Sequence, residues 1–315
     1  MTDTIEQTET VPMSMSSQRF DQIAAELFAD YSRSRLKTWI NEGHLTVDGR
    51  QGKPKEKLFG EETLYLSVEL EAEGEWLPED IPLDIIYEDD AILVVNKPVG
   101  LVVHPAAGNR SGTLLNGLLH LYPELIHVPR AGIVHRLDKD TSGLMVVAKT
   151  LQAHTDLVTQ LQARTVSREY EAVVMGVMTG GGRVEADIGR HPRQRTKMAV
   201  LDFGGKEAIT HYRVLERFEF HTHIRLKLET GRTHQIRVHM AHIGYALVGD
   251  TNYAGRFRVP KGASIELVEV LRAFPRQALH AAQLGLNHPV SGDYMEWSVP
   301  IAEDIEKLLS EIGLG

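Results

Sequence analysis

The chain has 315 residues, 42% of them hydrophobic and 24% charged, the make-up of an ordinary globular protein of about two domains. It has no cysteine, which excludes disulfides and thiolate metal sites, and neither a signal-peptide core nor an apolar run near the ~18 residues of a membrane span occurs; a cytoplasmic protein with no membrane partner is expected. The net charge of −9 is segregated: residues 67–90 hold ten acids and no Lys or Arg, while residues 91–315 sum to +4 and hold 14 of the 15 histidines, so the total does not exclude a nucleic-acid partner.

Residues 1–16 lack apolar periodicity and are expected to form a disordered tail. From Arg19 onward, Phe20, Ile23, Ala24 and Leu27 recur at helical spacing. A second helix is predicted from Ser32, with Leu36, Trp39 and Ile40 on its apolar face. A hairpin follows, in which Leu45-Thr46-Val47 runs into an Asp48-Gly49 turn, and Leu64-Tyr65-Leu66 supplies a later strand. The first turn of the second helix carries Arg33 and Arg35, with Lys37 close behind, cations where the helix dipole is already positive. That arrangement suits a phosphate or, more plainly, a solvated basic face. The order of helix, Ser-Arg-Ser-Arg helix and Gly43-His44-Leu45-Thr46-Val47-Asp48-Gly49 resembles an S4 RNA-binding domain over residues 17–75. An RNA contact through Arg33, Arg35 and Lys37 is what that resemblance implies.

Residues 76–90 read as an acidic linker, with strand character entering from about residue 81. Beyond it, strands are predicted over 81–87 and 91–96, around 144–148, 169–177, 209–218 and 223–228; helices are predicted over 113–121, 151–163, 233–244 and 302–309. Strands outnumber crossover helices and fall in adjacent runs, so residues 91–315 are expected to form an α+β domain with a mixed, largely antiparallel sheet.

Three charged stretches lie between apolar segments: His135 to Gly143, Arg168-Glu169-Tyr170, and Gly231 to Arg237. The first is flanked by Gly132-Ile133-Val134 and Leu144-Met145-Val146-Val147, which places Asp138 and Asp140 on a loop held between buried strands. A partly desolvated Asp there needs a cation to stay ionised, and Arg136, Arg232 and Arg237 are the candidates. A structural Arg–Asp pair fastening the loop is the plainer reading of these residues, and a catalytic carboxylate also fits them.

With Asn96-Lys97-Pro98-Val99-Gly100-Leu101-Val102-Val103-His104-Pro105 ahead of them, the three stretches resemble, in order, the motifs of the RluA family of pseudouridine synthases over residues 80–300. The resemblance implies an RNA isomerase that needs no cofactor and converts uridine to pseudouridine after extruding the base. It implies that Asp138 is the nucleophile, that Arg237 is its ion-pair partner, and that Tyr170 stacks on the base and assists removal of the C5 proton. It further implies that Arg136 enters the RNA stack in place of the uridine and that Leu279 packs beneath the site. Asp140, two residues on, competes with Asp138, and the family pattern favours the first. The partner implied is 23S rRNA or a large-subunit precursor, in a stem-loop such as helix 69, with no obligatory protein partner.

Two other features are weaker. His234, His239 and His242 have metal-like spacing but are interleaved with Arg232 and Arg237, so no metal is expected. Arg190, Arg193, Arg195 and Lys197 form a cationic stretch without an acid, expected to track an RNA strand together with Arg232.

Overall fold

The structure is a computed structural model that describes residues 4–29, 31, 33–69, 76–105, 109–194, 196–257 and 259–314. Its amino-terminal unit is a four-stranded antiparallel sheet with two helices. The strands are β1 (Thr4–Thr10), β2 (Leu45–Val47), β3 (Arg50–Gln51) and β4 (Thr63–Glu69), in the order β1-β4-β2-β3; the helices are α1 (Phe20–Leu27) and α2 (Arg33–Glu42). Phe20, Ile23, Leu36, Ile40, Leu45, Leu64 and Leu66 are buried together. Asp48 and Gly49 both take positive φ, as the tight hairpin turn between β2 and β3 requires.

Contrary to the expectation of a disordered tail over residues 1–16, Thr4–Thr10 form an edge strand, paired from Thr4↔Glu69 to Thr10↔Thr63. Val11, 1% exposed, closes the core beneath it. Backbone pairing holds this strand, and it contributes few apolar side chains, so periodicity gave no signal. Arg33, expected to meet phosphate, instead places its guanidinium on buried Asp21 at 2.8 Å, beside Arg19 on the same carboxylate. Those two arginines hold the Asp21 carboxyl below its ordinary range against the opposing effect of burial.

The acidic linker is anchored from Trp76 onward. Trp76 packs on the main core, Leu77 O accepts from Asn116 Nδ2 at 2.7 Å, and the Glu79 carboxylate accepts from Gly112 N–H at 3.0 Å.

The second unit is built on nine strands: β5 (Asp84–Glu88), β6 (Ile92–Lys97), β7 (Ser142–Ala148), β8 (Ser167–Met175), β9 (Gly182–Glu185), β12 (Ile209–Arg217), β13 (His221–Leu228), β14 (Leu279–Asn287) and β15 (Tyr294–Ser298). They run in the order β5-β6-β7-β14-β8-β13-β12-β9, with β15 on β14; β7 and β14 are parallel and the other pairs antiparallel. A separate hairpin comprises β10 (Ile188–Arg190) and β11 (Met198–Val200). The helices are α3 (Leu114–Leu121), α4 (Leu151–Gln162), α5 (Gln235–His242), α6 (Ile265–Ala273) and α7 (Glu303–Gly313). The sheet is mixed and largely antiparallel.

Alternate residues of β6 and β7 serve opposite faces. Leu93, Val95, Met145 and Val147 join α3 in one core, and Ile92, Val94, Leu144 and Val146 join α4 in another. At the β7–β14 contact a Cβ on Gly143 would lie 2.2 Å from Ala281 O, so only glycine admits this approach, which seats the loop before β7 over the centre of the sheet. Among the described residues no helix is long and apolar enough to cross a membrane.

Candidate active site

The loop carrying Asp138 is clamped from below by two buried cations. Lys97, 1% exposed, donates to the carbonyls of Pro98, Leu101 and Lys139 at 2.7, 3.0 and 3.0 Å. Burial lowers its ammonium to about 8. Arg276, held on Asp304 of α7 at 2.6 and 2.7 Å, donates to the carbonyls of Asp140 and Leu279 at 3.1 and 3.0 Å. The clamp therefore ties the loop to the start of β14, where Leu279 sits. Buried carbonyls need donors, and these two side chains supply several at once.

Arg237 lies in the first turn of α5, where its charge opposes the helix dipole, so it requires compensation. Two carboxylates provide it. Nη1 donates to Asp138 Oδ2 at 3.0 Å, while Nε and Nη2 donate to Asp250 at 2.7 and 3.0 Å. Burial alone would lower Arg237, but the hydrogen bonds and charges of Asp250 and Asp138 raise it above the ordinary arginine value. Asp250 is in turn fixed by the N–H groups of Asn252 and Tyr253 at 2.9 and 3.1 Å.

His234 precedes α5 with φ 56°, a left-handed conformation that costs a non-glycine residue about 1–3 kcal/mol and brings its ring to the site. Its Nδ1 lies 2.6 Å from the Tyr253 hydroxyl and its Nε2 3.8 Å from Asp138 Oδ1. Burial lowers the imidazole, with Asp138 opposing, so the ring tends to neutrality. Asp138 thus has one oxygen bound to a guanidinium and the other beyond hydrogen-bond reach of His234, and it lines a cavity of about 850 Å³. An ionised oxygen so placed can attack carbon or take a proton.

The cavity brings together Asp138, Tyr170, Arg136, Arg232, Arg237 and Leu279. Tyr170 on β8 is 6% exposed, and burial raises its phenol while Arg168 opposes. Leu279 is buried and Arg136 is exposed at the rim. Asp140 does not line the cavity, which separates it from Asp138. Arg190 and Lys197 flank the β10–β11 turn, Arg193 is exposed within it, and Arg195 lies outside the described residues. Lys197 donates to Asn252 O at 2.7 Å, and Arg232 Nε donates to Glu207 O at 2.9 Å. Arg35 lies over the Trp39 ring at 5.7 Å, and Lys37 is exposed. His239 is committed to Thr210 Oγ1 and Ala186 O, both at 2.9 Å.

Sequence reasoning missed Asp250, Tyr253 and Arg276. Asp250 sits in an unremarkable Gly-Asp-Thr loop, and only the demand of a buried five-donor guanidinium for more than one acceptor could have suggested it.

A family described as RNA pseudouridylate synthase matches residues 91–242. Ribosomal large subunit pseudouridine synthase D of Pseudomonas aeruginosa is 62% identical over 310 residues, 98% of this chain and 97% of the relative. The chain belongs to the RluA family of RNA pseudouridine synthases. A Yersinia pestis relative of the same name is 57% identical over 313 residues, 99% of this synthase and 96% of its own length. Human RNA Pseudouridylate Synthase Domain Containing 4 shares the fold, with a TM-score of 0.58 at 24% identity over 73% of this synthase and 92% of the human chain. The synthase is therefore an enzyme of the isomerase class. Its matched segment holds Asp138, Tyr170 and Arg237 and ends before Asp250 and Leu279.

Proposed function

We propose that this synthase isomerises uridines of 23S rRNA in the large ribosomal subunit or its precursor, in a stem-loop such as helix 69. The observation that carries the reading is the Asp138 carboxylate, with one oxygen on Arg237, in a cavity that it lines together with Tyr170 and Leu279. The names and near-full-length coverage of the relatives support the substrate.

The uridine leaves its helix, which costs a few kcal/mol and is cheapest in a loop. Arg136, exposed at the rim, fills its place. The ionised Asp138 then acts on the ribose, by attack at C1′ or by taking the 2′ proton, and the N1–C1′ bond breaks. The uracil turns against Tyr170 over Leu279, C5 joins C1′ as the Asp138–C1′ bond breaks or the 2′ proton returns, and the C5 proton leaves with the help of Tyr170 while N1 takes up a proton. Atoms and electrons balance within the nucleotide, so no cofactor enters the scheme. Arg237 orients the carboxylate throughout.

The amino-terminal unit, similar to an S4 domain over residues 17–75, adds RNA contacts through Arg35 and Lys37, with Arg33 engaged on Asp21. The β10–β11 turn, with Arg190, Arg193, Arg195 and Lys197, tracks a strand beside Arg232. Activity of this kind belongs in the cytoplasm, with no membrane or obligatory protein partner.

Pseudouridine mapping of 23S rRNA from cells with and without the protein tests the reading. Sites lost on deletion should return with the wild-type chain and not with Asp138→Asn, which should still bind RNA. An unchanged map, or turnover by Asp138→Asn, overturns it.

A further inference from the structure

Arg168 opens the Arg168-Glu169-Tyr170 stretch, yet it takes no part in the reaction steps proposed for Asp138 and Tyr170. It is 7% exposed and lines the same cavity as Asp138. Its Nε is buried without a hydrogen-bond partner, and among the described residues no carboxylate forms an ion pair with it. Neighbouring acids are engaged elsewhere: Glu169, next in the chain, faces Arg225, and of the acids that line the cavity Glu229 faces Arg164 and His211 while Asp138 is held by Arg237. Burial lowers the Arg168 guanidinium, the neighbouring Tyr170 phenol opposes that effect, and Arg232, another cation, adds to it.

A buried arginine without a counter-charge is costly, because the hydration it loses on burial is not replaced by a partner. The site is nonetheless built to keep it. A Cβ on Gly231 would meet Arg168 Nη1 at 2.6 Å, so the loop before α5 makes room for the guanidinium by carrying no side chain there. Its neighbour His135 accepts from Val146 N–H through Nε2 at 3.1 Å and is lowered to about 3 by burial and then by Arg168, so it is neutral and offers no counter-charge.

We infer that Arg168 is a phosphate-binding residue, whose missing counter-ion is a backbone phosphate of the extruded nucleotide. Arg168 stands two residues before Tyr170 on the same face of β8, roughly 6.6 Å along the strand. It is therefore displaced from the base-stacking position as a sugar–phosphate is displaced from its base. A guanidinium offers two parallel N–H groups to phosphate oxygens, and Arg232 stands close enough to share the charge. Ordering of the nucleotide and neutralisation of the buried cation then occur in one step, which draws the base inward.

This inference rests on the reading of the site as one that takes an extruded nucleotide of a 23S stem-loop. Its test uses binding, which does not depend on turnover. The full-length chain is titrated with a helix 69 stem-loop and with versions carrying a single neutral methylphosphonate at each loop position in turn. Arg168→Met, similar in length and uncharged, should bind the intact RNA about 10- to 100-fold more weakly, the factor for a charged hydrogen bond. One methylphosphonate should weaken wild type by a comparable factor and cost Arg168→Met nothing further. Gly231→Ala, which displaces the guanidinium without deleting it, should show the same non-additivity in part. Arg168→Met should also melt at or above wild type, since it removes an uncompensated buried charge. Equal sensitivity of wild type and Arg168→Met to every methylphosphonate overturns the inference, as does unchanged binding with a loss confined to kcat. Absence of pseudouridine in wild-type reactions would instead sink the proposed function and leave these binding comparisons standing.

Discussion

Asp250 is the residue on which the orientation of the site turns, and Asp250→Asn isolates its effect. Its carboxylate is fully buried and takes two of the three hydrogen bonds by which Arg237 is held, the third going to Asp138. Oδ1 also accepts from Asn252 and Tyr253, so an amide can keep its oxygen there only by turning its NH₂ toward Arg237 Nε, donor against donor. One strong hydrogen bond and one buried charge are lost, costing about 3 kcal/mol, the low end of the range for breaking a buried pair. At roughly 2–4 °C per kcal/mol, the melting temperature should fall by about 6–12 °C. Arg237 is then free to swing, and a carboxylate displaced by about an ångström loses on the order of 100-fold in rate. Asp250 does not line the catalytic cavity, so RNA affinity should stay within about threefold. Single-turnover release of tritium from RNA labelled at uracil C5, well below the melting transition, reads the rate; a titration reads affinity. A rate near wild type alongside a lowered melting temperature would show that Asp250 only stabilises the fold, and the positioning role would be refuted.

Other expectations follow from the same geometry. Glu171 is lowered to about 2, chiefly by its hydrogen bond to His223 and then by Arg225, with burial opposing. A depressed carboxylate stabilises the fold above its unfolded value, and that contribution is lost as pH falls from about 4.5 toward 2. Glu171→Gln should therefore cost about 2–3 kcal/mol at neutral pH and progressively less below pH ~4.5, as read by denaturant unfolding across pH; a constant difference counts against the pair. Replacing Arg193 and Arg195 with Ala should weaken RNA binding and flatten the logarithmic salt slope by roughly 0.7 for each phosphate that is no longer neutralised. An unaltered slope removes the β10–β11 turn from the interface.

Asp138, Tyr170 and Arg237 were legible because each lies in a stretch whose residue types and order are specific, and the structure gathers all three around one cavity. The partners that hold them were not. Asp250, Arg276 and Tyr253 act through segments distant in the chain, and such pairings leave no local pattern. Strand β14, beside β7 and β8 in the middle of the sheet, was also missed. Its sequence, Leu-His-Ala-Ala-Gln-Leu-Gly-Leu-Asn, has no β-branched residue and little alternation; it is a strand because neighbours on both sides supply its hydrogen bonds. The amino-terminal edge strand failed in the opposite sense, being rich in threonine but poor in apolar side chains.

The distribution of charge explains how a protein of net charge −9 presents a site for RNA. Ten of the acids lie within residues 67–90, before the strands that frame the cavity. Of the acids at the catalytic centre, Asp138 and Asp250 share Arg237, leaving one formal negative charge among three groups. In the proposed reaction that charge acts on the ribose. Along the rest of the cavity Arg136, Arg168 and Arg232 make no ion pair among the described residues, so three cations remain to meet the phosphates of a bound strand. On the proposed reading, a polyanion would be held by its backbone at Arg168 while the base stacks on Tyr170, one full side-chain repeat along β8, and Asp138 keeps one oxygen free of Arg237.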